Sequence, residues 1–404
     1  MKTLVIAEKP SVAQDIVRAL TPVAGKFEKH DDHFESDTYV VTSAVGHLVE
    51  IQAPEQYDVK RGKWSFANLP VIPPHFDLKP VDKTKSRLSA VVKQAKRKDV
   101  DALINACDAG REGELIFRLI EQYAGGAKPL GKPVSRLWLQ SMTPQAIRDG
   151  FGALRTNAQM QPLADAARCR SEADWLVGIN GTQALSIAAG HGTYSVGRVQ
   201  TPTLAMVCER YWENRRFTSE AFWQLHIATD GCDGEVVKFS SSEKWKEKEP
   251  AMELYNKVKA AGCATVTKAE RKEKTEETPL LYDLTTLQKE ANAKHGFTAE
   301  QTLEIAQKLY EKKLITYPRT GSRYIPEDVF AEIPKLLAFI GTQPEWKDKV
   351  RAKAAPTRRS VDDGKVTDHH ALLVTGEKPL FLSKEDNTIY QMIAGRMVEA
   401  FSEK

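Results

Sequence analysis

An α/β sheet domain, followed by mainly α-helical domains with a small β-rich segment between them, is the fold class the sequence predicts. Three observations lead there. The amino-terminal third alternates short apolar runs with segments of helical spacing, residues 157–189 keep a helical pattern, and residues 221–266 turn β-rich before a second helical region that runs to the end of the sequence. Alternation builds a sheet with helices against it, whereas unbroken helical periodicity builds helical layers. With 404 residues, 41% of them hydrophobic, the chain can bury several cores, roughly two to four domains' worth.

Thr3–Ala7 (TLVIA) reads as a short buried strand ending at Glu8-Lys9-Pro10, and Ser11–Leu20 then has the spacing of an amphipathic helix. Ala102–Ala106 (ALINA) repeats the arrangement, leading through Asp108-Ala109-Gly110-Arg111-Glu112 into the helix-like GELIFRLIEQYA. In open α/β sheets functional groups gather beyond the carboxyl ends of strands, where Glu8 and Asp108 both stand. Asn157–Ala189 is helical, with Arg170 and Asp174 four residues apart on one face. Ala221–Val266 is β-rich, interrupted by the charged SSEKWKEKEP. Lys268–Glu277 (KAERKEKTEE) is a linker, because consecutive charges bury poorly. Thr298 and Gln301 suit a capping box opening a helix to about Lys313, and the LITY after it is strand-like and closed by Pro318.

Composition excludes several classes. The 58 basic against 54 acidic residues give a net charge of +4, compatible with an anionic partner but too modest to require one. No apolar run approaches the roughly 18 residues a bilayer demands, and MKTLVIAEKP lacks the pattern of a cleaved leader, so a cytoplasmic location without a membrane partner is expected. Cys107, Cys169, Cys208, Cys232 and Cys263 are odd in number and scattered, which supports neither a disulfide framework nor a zinc ribbon.

The acids Glu8, Asp108 and Glu112, interleaved with Lys9 and Arg111, have the mixture phosphoryl transfer needs: carboxylates for Mg²⁺ and protons, cations for the non-bridging oxygens. Any one of these acids read alone is more simply a solvated loop residue. Tyr317, in LITYPR, has a backbone restrained by Pro318, and Arg319 can reach the same phosphate. A phenol is a poor nucleophile at neutral pH and needs cations around it, and a structural tyrosine at a strand end is the commoner case. Of the adjacent pair His369 and His370, one fits a phosphate contact and the other a structural role, since neighbouring side chains diverge. Arg198 in SVGRVQTPT could present donors to a nucleic-acid backbone or simply sit in a surface turn. Gly126–Lys132 (GAKPLGK) has the glycine and lysine spacing of a phosphate loop, but Pro133 replaces the hydroxyl residue that holds Mg²⁺ and a helix-like segment precedes it, so no ATP site is assigned.

In this order the motifs resemble those of the type IA DNA topoisomerases, topoisomerase III branch. The matching segments are VIAEKPSVA, SAVGHL, DAGREGELI, EADWLVGIN, SVGRVQTPTL, LYDLTTLQ, ITYPRTGSRY and DHHALLVT. The resemblance implies a Toprim domain over 1–155, the first part of a helical DNA-groove domain over 156–215, the first part of a β-rich arch over 216–277 and a helical domain with the catalytic tyrosine over 278–404. It implies a multidomain fold that is C-terminally incomplete, since the family's chain returns through further segments.

The roles it implies are Tyr317 as nucleophile, Glu8 as metal-linked acid and proton carrier, and Asp108 and Glu112 as further Mg²⁺ acids. Lys9, Arg319 and His369 would steady the scissile phosphate. Trp64, Arg170, Gly178, Ser195, Val196, Gly197, Arg198, Val199, Gln200 and Arg319 would line the DNA path, Trp64 by stacking on a base. The implied activity is cleavage of one strand of single-stranded or negatively supercoiled DNA through a 5′-phosphotyrosine, strand passage and resealing by a monomer with Mg²⁺, without ATP or zinc. A Toprim nuclease or primase, and a non-catalytic single-strand-binding remnant, are the alternatives. Three positions depart from the family pattern: Gly110 for an aspartate, Gln183 for an arginine and Gly321 for an aspartate.

Overall fold

The computed structural model describes residues 1–54, 64–231, 234–347, 349–350 and 356–402; Cys232 lies outside them. The described residues form two compact units, residues 1–197 with 276–404, and residues 198–275.

In the larger unit the amino-terminal part is a seven-stranded sheet. Its elements are β1 (Lys2–Ala7), α1 (Pro10–Ala24), β2 (Glu28–Lys29), β3 (Phe34–Glu35), β4 (Tyr39–Ser43), β5 (Val49–Ile51), β6 (Leu78–Pro80), α2 (Lys85–Ala95), β7 (Val100–Ala106), α3 (Arg111–Gly125), β8 (Val134–Arg136), α4 (Pro144–Gly152), β9 (Arg155–Thr156) and α5 (Asn157–Ala189). Strand order is β2-β3-β4-β1-β7-β8-β9, with β5 and β6 forming a separate pair. The central four strands run parallel, and β2, β3 and β9 close the edges antiparallel.

Alternation along β1 sorts its side chains onto two faces. Val5 and Ala7 pack with Ile16, Leu20 and Ile147 from α1 and α4. Leu4 and Ile6 pack with Leu88, Val91, Phe117 and Ile120 from α2 and α3. Both faces are covered, which is why the central strands read as apolar runs. Each of the larger side chains contributes about 1.5–3 kcal/mol on leaving water. A capping box between Thr156 and Gln159 opens the 33-residue α5, and Gly190 closes it in the left-handed conformation.

The carboxyl-terminal part contributes α8 (Leu284–His295), α9 (Ala299–Glu311), α10 (Glu327–Phe330), α11 (Ile333–Gly341) and α12 (Lys384–Phe401), numbered after the two helices of the smaller unit. Leu287, Ala291, Ile305, Leu309, Ile340, Ile389, Ile393 and Met397 form their shared core. The expected Thr298–Gln301 capping box opens α9. LITY is not a strand: Ile315 alone bridges Val374, because Lys313 turns the chain at φ 60° and Pro318 has no N–H to continue a ladder.

The smaller unit holds α6 (Gln200–Arg215), the hairpin β10 (His226–Asp230) with β11 (Val236–Ser240), and α7 (Lys248–Ala261). A wholly β-rich 221–266 is therefore incorrect. KEPAMELYNKVKAA is made of strong helix formers, and its charges are the exposed face of a helix, not a break between strands. Lys268–Glu277 has no regular structure, as a linker should.

Candidate active site

Parallel pairing of β1 with β7 puts Ala7 beside Ala106, so the residues after each strand meet. The Asp108 N–H donates to Glu8 Oε2 at 3.3 Å. Lys9, the residue before α1, turns its ammonium back to Asp108 Oδ2 at 2.6 Å, with Glu8 Oε1 at 3.9 Å.

The loop carrying Asp108 is held from below. Arg136, fully buried on β8, donates to the carbonyls of Asn105 (3.1 Å), Cys107 (2.8 Å) and Asp108 (2.6 Å). Buried Glu114 on α3 accepts from Asn105 Nδ2 at 2.9 Å and Arg118 Nε at 2.8 Å. At Gly113 a Cβ would lie 2.1 Å from the Asp108 carbonyl oxygen, so the first turn of α3 approaches the loop as only glycine allows.

The helical region meets these groups from the other side. Thr316 N–H donates to Leu373 O at 2.9 Å and the Thr320 hydroxyl to His369 O at 2.8 Å, so residues 315–320 run alongside 369–374. That places the Tyr317 and His369 rings 4.5 Å apart. Lys9 Nζ lies 3.8 Å from the Tyr317 ring centre, and His369 Nε2 lies 3.2 Å from Asp108 Oδ2. The Gln140 amide bonds the carbonyls of Val366 (2.8 Å) and Thr367 (3.1 Å), tying sheet to helices. A cavity of about 470 Å³ opens here, lined by Lys9, Asp15, Arg18, Asp108, Tyr310, Tyr317 and His369 among others.

The charges divide the two central acids. Burial, then the nearby Asp108, pushes the Glu8 carboxyl up. Burial also pushes Asp108 up, but the His369 hydrogen bond and the Lys9 charge outweigh it and hold Asp108 at about 2. Burial lowers Lys9, yet Asp108 and Glu8 together raise it, so it stays cationic.

Five of the residues singled out by sequence thus converge: Glu8, Lys9, Asp108, Tyr317 and His369. Glu112 does not join them at metal-ligand spacing; exposed on the first turn of α3, it pairs with Arg170 Nη1 and faces His47 at 3.4 Å. Arg319 is exposed and does not line the cavity, and Trp64 is exposed as well. His370 turns Nδ1 to the Ala371 carbonyl at 2.8 Å, and burial lowers its pKa. Along α5, the Val196 N–H bonds Thr182 Oγ1 at 2.9 Å, and Gly178 faces the Val196 carbonyl, so Ser195–Gly197 lies against α5 two to three turns beyond Arg170. Arg198, Val199 and Gln200 belong to the smaller unit, where Val199 is exposed and Gln200 begins α6.

Sequence reasoning missed Asp368, Arg136 and Gly113. The Asp368 carboxylate sits 2.6–2.7 Å from where a Cβ on Gly110 would be, filling the place a side chain there would take. Its signal was its position directly before the histidine pair. The donor set suits Mg²⁺, which prefers a few hard carboxylate oxygens: Glu8 and Asp108 are adjacent and partly buried, and the space beside Gly110 already accommodates a further carboxylate.

Comparison with known proteins agrees with this arrangement. A family model described as DNA topoisomerase matches residues 158–404, and one described as Toprim domain matches residues 3–141. The DNA topoisomerase 3 of Bacillus cereus is 39% identical over 411 residues, covering 98% of this chain and 54% of that protein. Those of Bacillus subtilis (37%, 98% and 54%) and Shouchella clausii (38%, 99% and 55%) are similar. The chain spans about half the length of the curated relatives it matches. Among the described residues no helix is long and apolar enough to cross a membrane. With a Toprim domain at its amino end and a topoisomerase region over the remainder, the chain belongs to the type IA DNA topoisomerase family.

Proposed function

We propose that this chain carries the strand-cleaving centre of a topoisomerase 3-like enzyme and that Tyr317 is its nucleophile. The Tyr317 oxygen, its proton passing to solvent, bonds to a backbone phosphorus of single-stranded DNA as the bond from phosphorus to the 3′ oxygen breaks, leaving a 5′-phosphotyrosine and a 3′ oxygen that is protonated to a free hydroxyl. Resealing is the reverse attack. The phosphodiester energy is kept in the protein–DNA bond, so no nucleotide is consumed.

The observation that carries the reading is Lys9, which touches the Tyr317 ring and bonds Asp108. Lys9 and His369 offer positive charge and hydrogen bonds to the phosphate oxygens. Glu8, which burial favours in its protonated form, donates a proton to the departing 3′ oxygen, while Asp108 stays ionised and orients Lys9 and His369. Mg²⁺ held by Glu8 and Asp108 would add positive charge beside the phosphate; Glu112 completes that set only by releasing Arg170.

The DNA strand would follow Arg170 and Gly178 on α5 and Ser195–Gly197 beside it, with Arg198, Val199, Gln200, Arg319 and the exposed Trp64 adding backbone and stacking contacts. The division at residues 155, 215 and 277 goes with this reading, as Toprim domain, first groove part, first arch part and tyrosine-bearing domain. The enzyme would act as a monomer in the cytoplasm on single-stranded or negatively supercoiled DNA.

The test uses a 3′-end-labelled single-stranded oligonucleotide, Mg²⁺ and a denaturant quench. Labelled DNA should migrate bound to protein, and Tyr317→Phe should abolish the adduct while DNA binding stays nearly unchanged. A full-rate adduct with Tyr317→Phe refutes the assignment, and cleavage that leaves only protein-free ends favours a Toprim nuclease.

A further inference from the structure

The β2–β3 hairpin, at the outer edge of the sheet and two strands from β1, carries a separate constellation that DNA cleavage does not use. The hairpin turn is closed by the His30 N–H donating to the His33 carbonyl at 2.8 Å. In this turn one ligand atom each from His30, His33 and Glu35 lies within 4.8 Å of the others, and the two imidazoles stack with centroids 4.5 Å apart and planes 10° from parallel.

We propose that His30, His33 and Glu35 form a binding site for a divalent transition-metal ion of the Zn²⁺ class. His33 stands between two carboxylates: its Nδ1 is 2.6 Å from Asp32 Oδ1 and its Nε2 is 3.0 Å from Glu35 Oε2. A neutral imidazole has one N–H. If it serves Asp32, the Nε2 lone pair faces a carboxylate oxygen, an arrangement that a cation between them relieves. Two metal bonds of about 2.0–2.2 Å meeting at the tetrahedral angle set their ligand atoms about 3.3–3.6 Å apart, so this pair, 3.0 Å apart, needs to open by only a few tenths of an ångström.

The groups around the ligands act as a supporting shell. Asp32, 2.6 Å from Nδ1, would hold the proton there once Nε2 binds the ion, as carboxylates behind metal-binding histidines do. The Gln94 amide lies 3.4 Å from Asp32 Oδ2 and 3.3 Å from His33 Nδ1. Lys2 at 2.5 Å and Arg97 at 2.7 and 2.8 Å hold the Glu35 carboxylate, with Arg97 itself tied to Asp99. These cations pin Glu35 in its ionised form and also compete with the metal for it, so the two imidazoles must supply the selectivity. Two nitrogens and one oxygen suit Zn²⁺ or Co²⁺ better than Mg²⁺, and exposed His30 leaves a side open for water to complete the coordination. A bound ion would clamp two strands of two residues each that are too short to hold themselves.

The test is a titration of the full chain, stripped with chelator and free of Mg²⁺, with Co²⁺ alone. A single equivalent should give the visible absorption of a low-coordinate site, displaced by Zn²⁺ but not by excess Mg²⁺. His30→Ala, on an exposed turn, should remove the band, and Asp32→Asn should weaken binding about 10–100-fold with circular dichroism unchanged. No band, a band that survives His30→Ala, or one that Mg²⁺ displaces, which would put the ion on Glu8 and Asp108, overturns the proposal.

Discussion

Lys9 bonds Asp108 at 2.6 Å while its ammonium lies 3.8 Å from the centre of the Tyr317 ring. One residue after the first strand therefore links the sheet's acids to a phenol more than 300 positions along the chain. Replacing it by alanine removes the cation nearest the phenol and leaves His369 alone to offset the repulsion between Glu8 and Asp108. Adduct formation by Lys9→Ala should fall about 10²–10³-fold, the scale for losing one preorganised charge partner of a transition state. Single-turnover quenching measures it, and an unchanged rate removes Lys9 from the chemistry.

Gly113→Ala addresses the loop rather than the charges. Its methyl group would fall 2.1 Å from a backbone oxygen, which cannot swing aside like a side chain, so the Asp108 loop or the first turn of α3 must shift. A loss of about 1–3 kcal/mol in urea unfolding is expected, with adduct formation reduced at temperatures where the variant is folded. Gly152→Ala, with nothing within 4 Å of the added carbon, is the control and should be neutral. Equal behaviour of the two variants contradicts the packing argument.

What the sequence could convey here follows from the range of each interaction. TLVIA and ALINA were legible because strands buried on both faces are apolar at nearly every position, and the caps at Thr298 and Gln301 because capping is a matter of four adjacent residues. The helix at Lys248–Ala261 was obscured by its own charges, and the single bridge at Ile315 passed for a strand. Glu112 follows Asp108 by only four residues, and only the approach of α5 shows it turned toward Arg170. Asp368 against Gly110 and Arg136 beneath Asp108 depend on partners far away in the chain, which no local spacing encodes.

Arg136 is the support on which the Asp108 loop rests. Its guanidinium satisfies three backbone carbonyls at once and lies 3.5 Å from buried Glu114. Arg136→Met leaves those acceptors and a buried carboxylate short of a partner, and should cost about 3–5 kcal/mol. Arg136→Lys should recover little, since an ammonium lacks the planar fork that reaches several acceptors. Urea midpoints of the two variants decide this; a change below about 1 kcal/mol, as at ordinary surface sites, would show the loop is held by other contacts.

Acid should loosen the helical region that carries Tyr317. Burial raises Glu290 on α8, but hydrogen bonds from Arg396 on α12, Tyr282 and Lys294 outweigh it and hold the carboxyl at about 2, below the ordinary 4.5. A depressed folded-state pKa stabilises above the unfolded value and is lost as protons bind, so this contribution is complete above about pH 4.5 and disappears as pH falls toward 2. In Glu290→Gln the melting temperature should drop at pH 7, because Arg396, only 7% exposed, keeps only the exposed Glu399 as counter-charge, and it should decline less steeply than in the native chain between those pH values. α12 also anchors the segment beside Tyr317, since the Val374 N–H bonds Met397 Sδ at 3.1 Å and Val374 bridges Ile315. Adduct formation assayed after brief acid exposure should therefore track the same transition. An identical acid slope in Glu290→Gln and the native chain would place the pH-sensitive contact elsewhere.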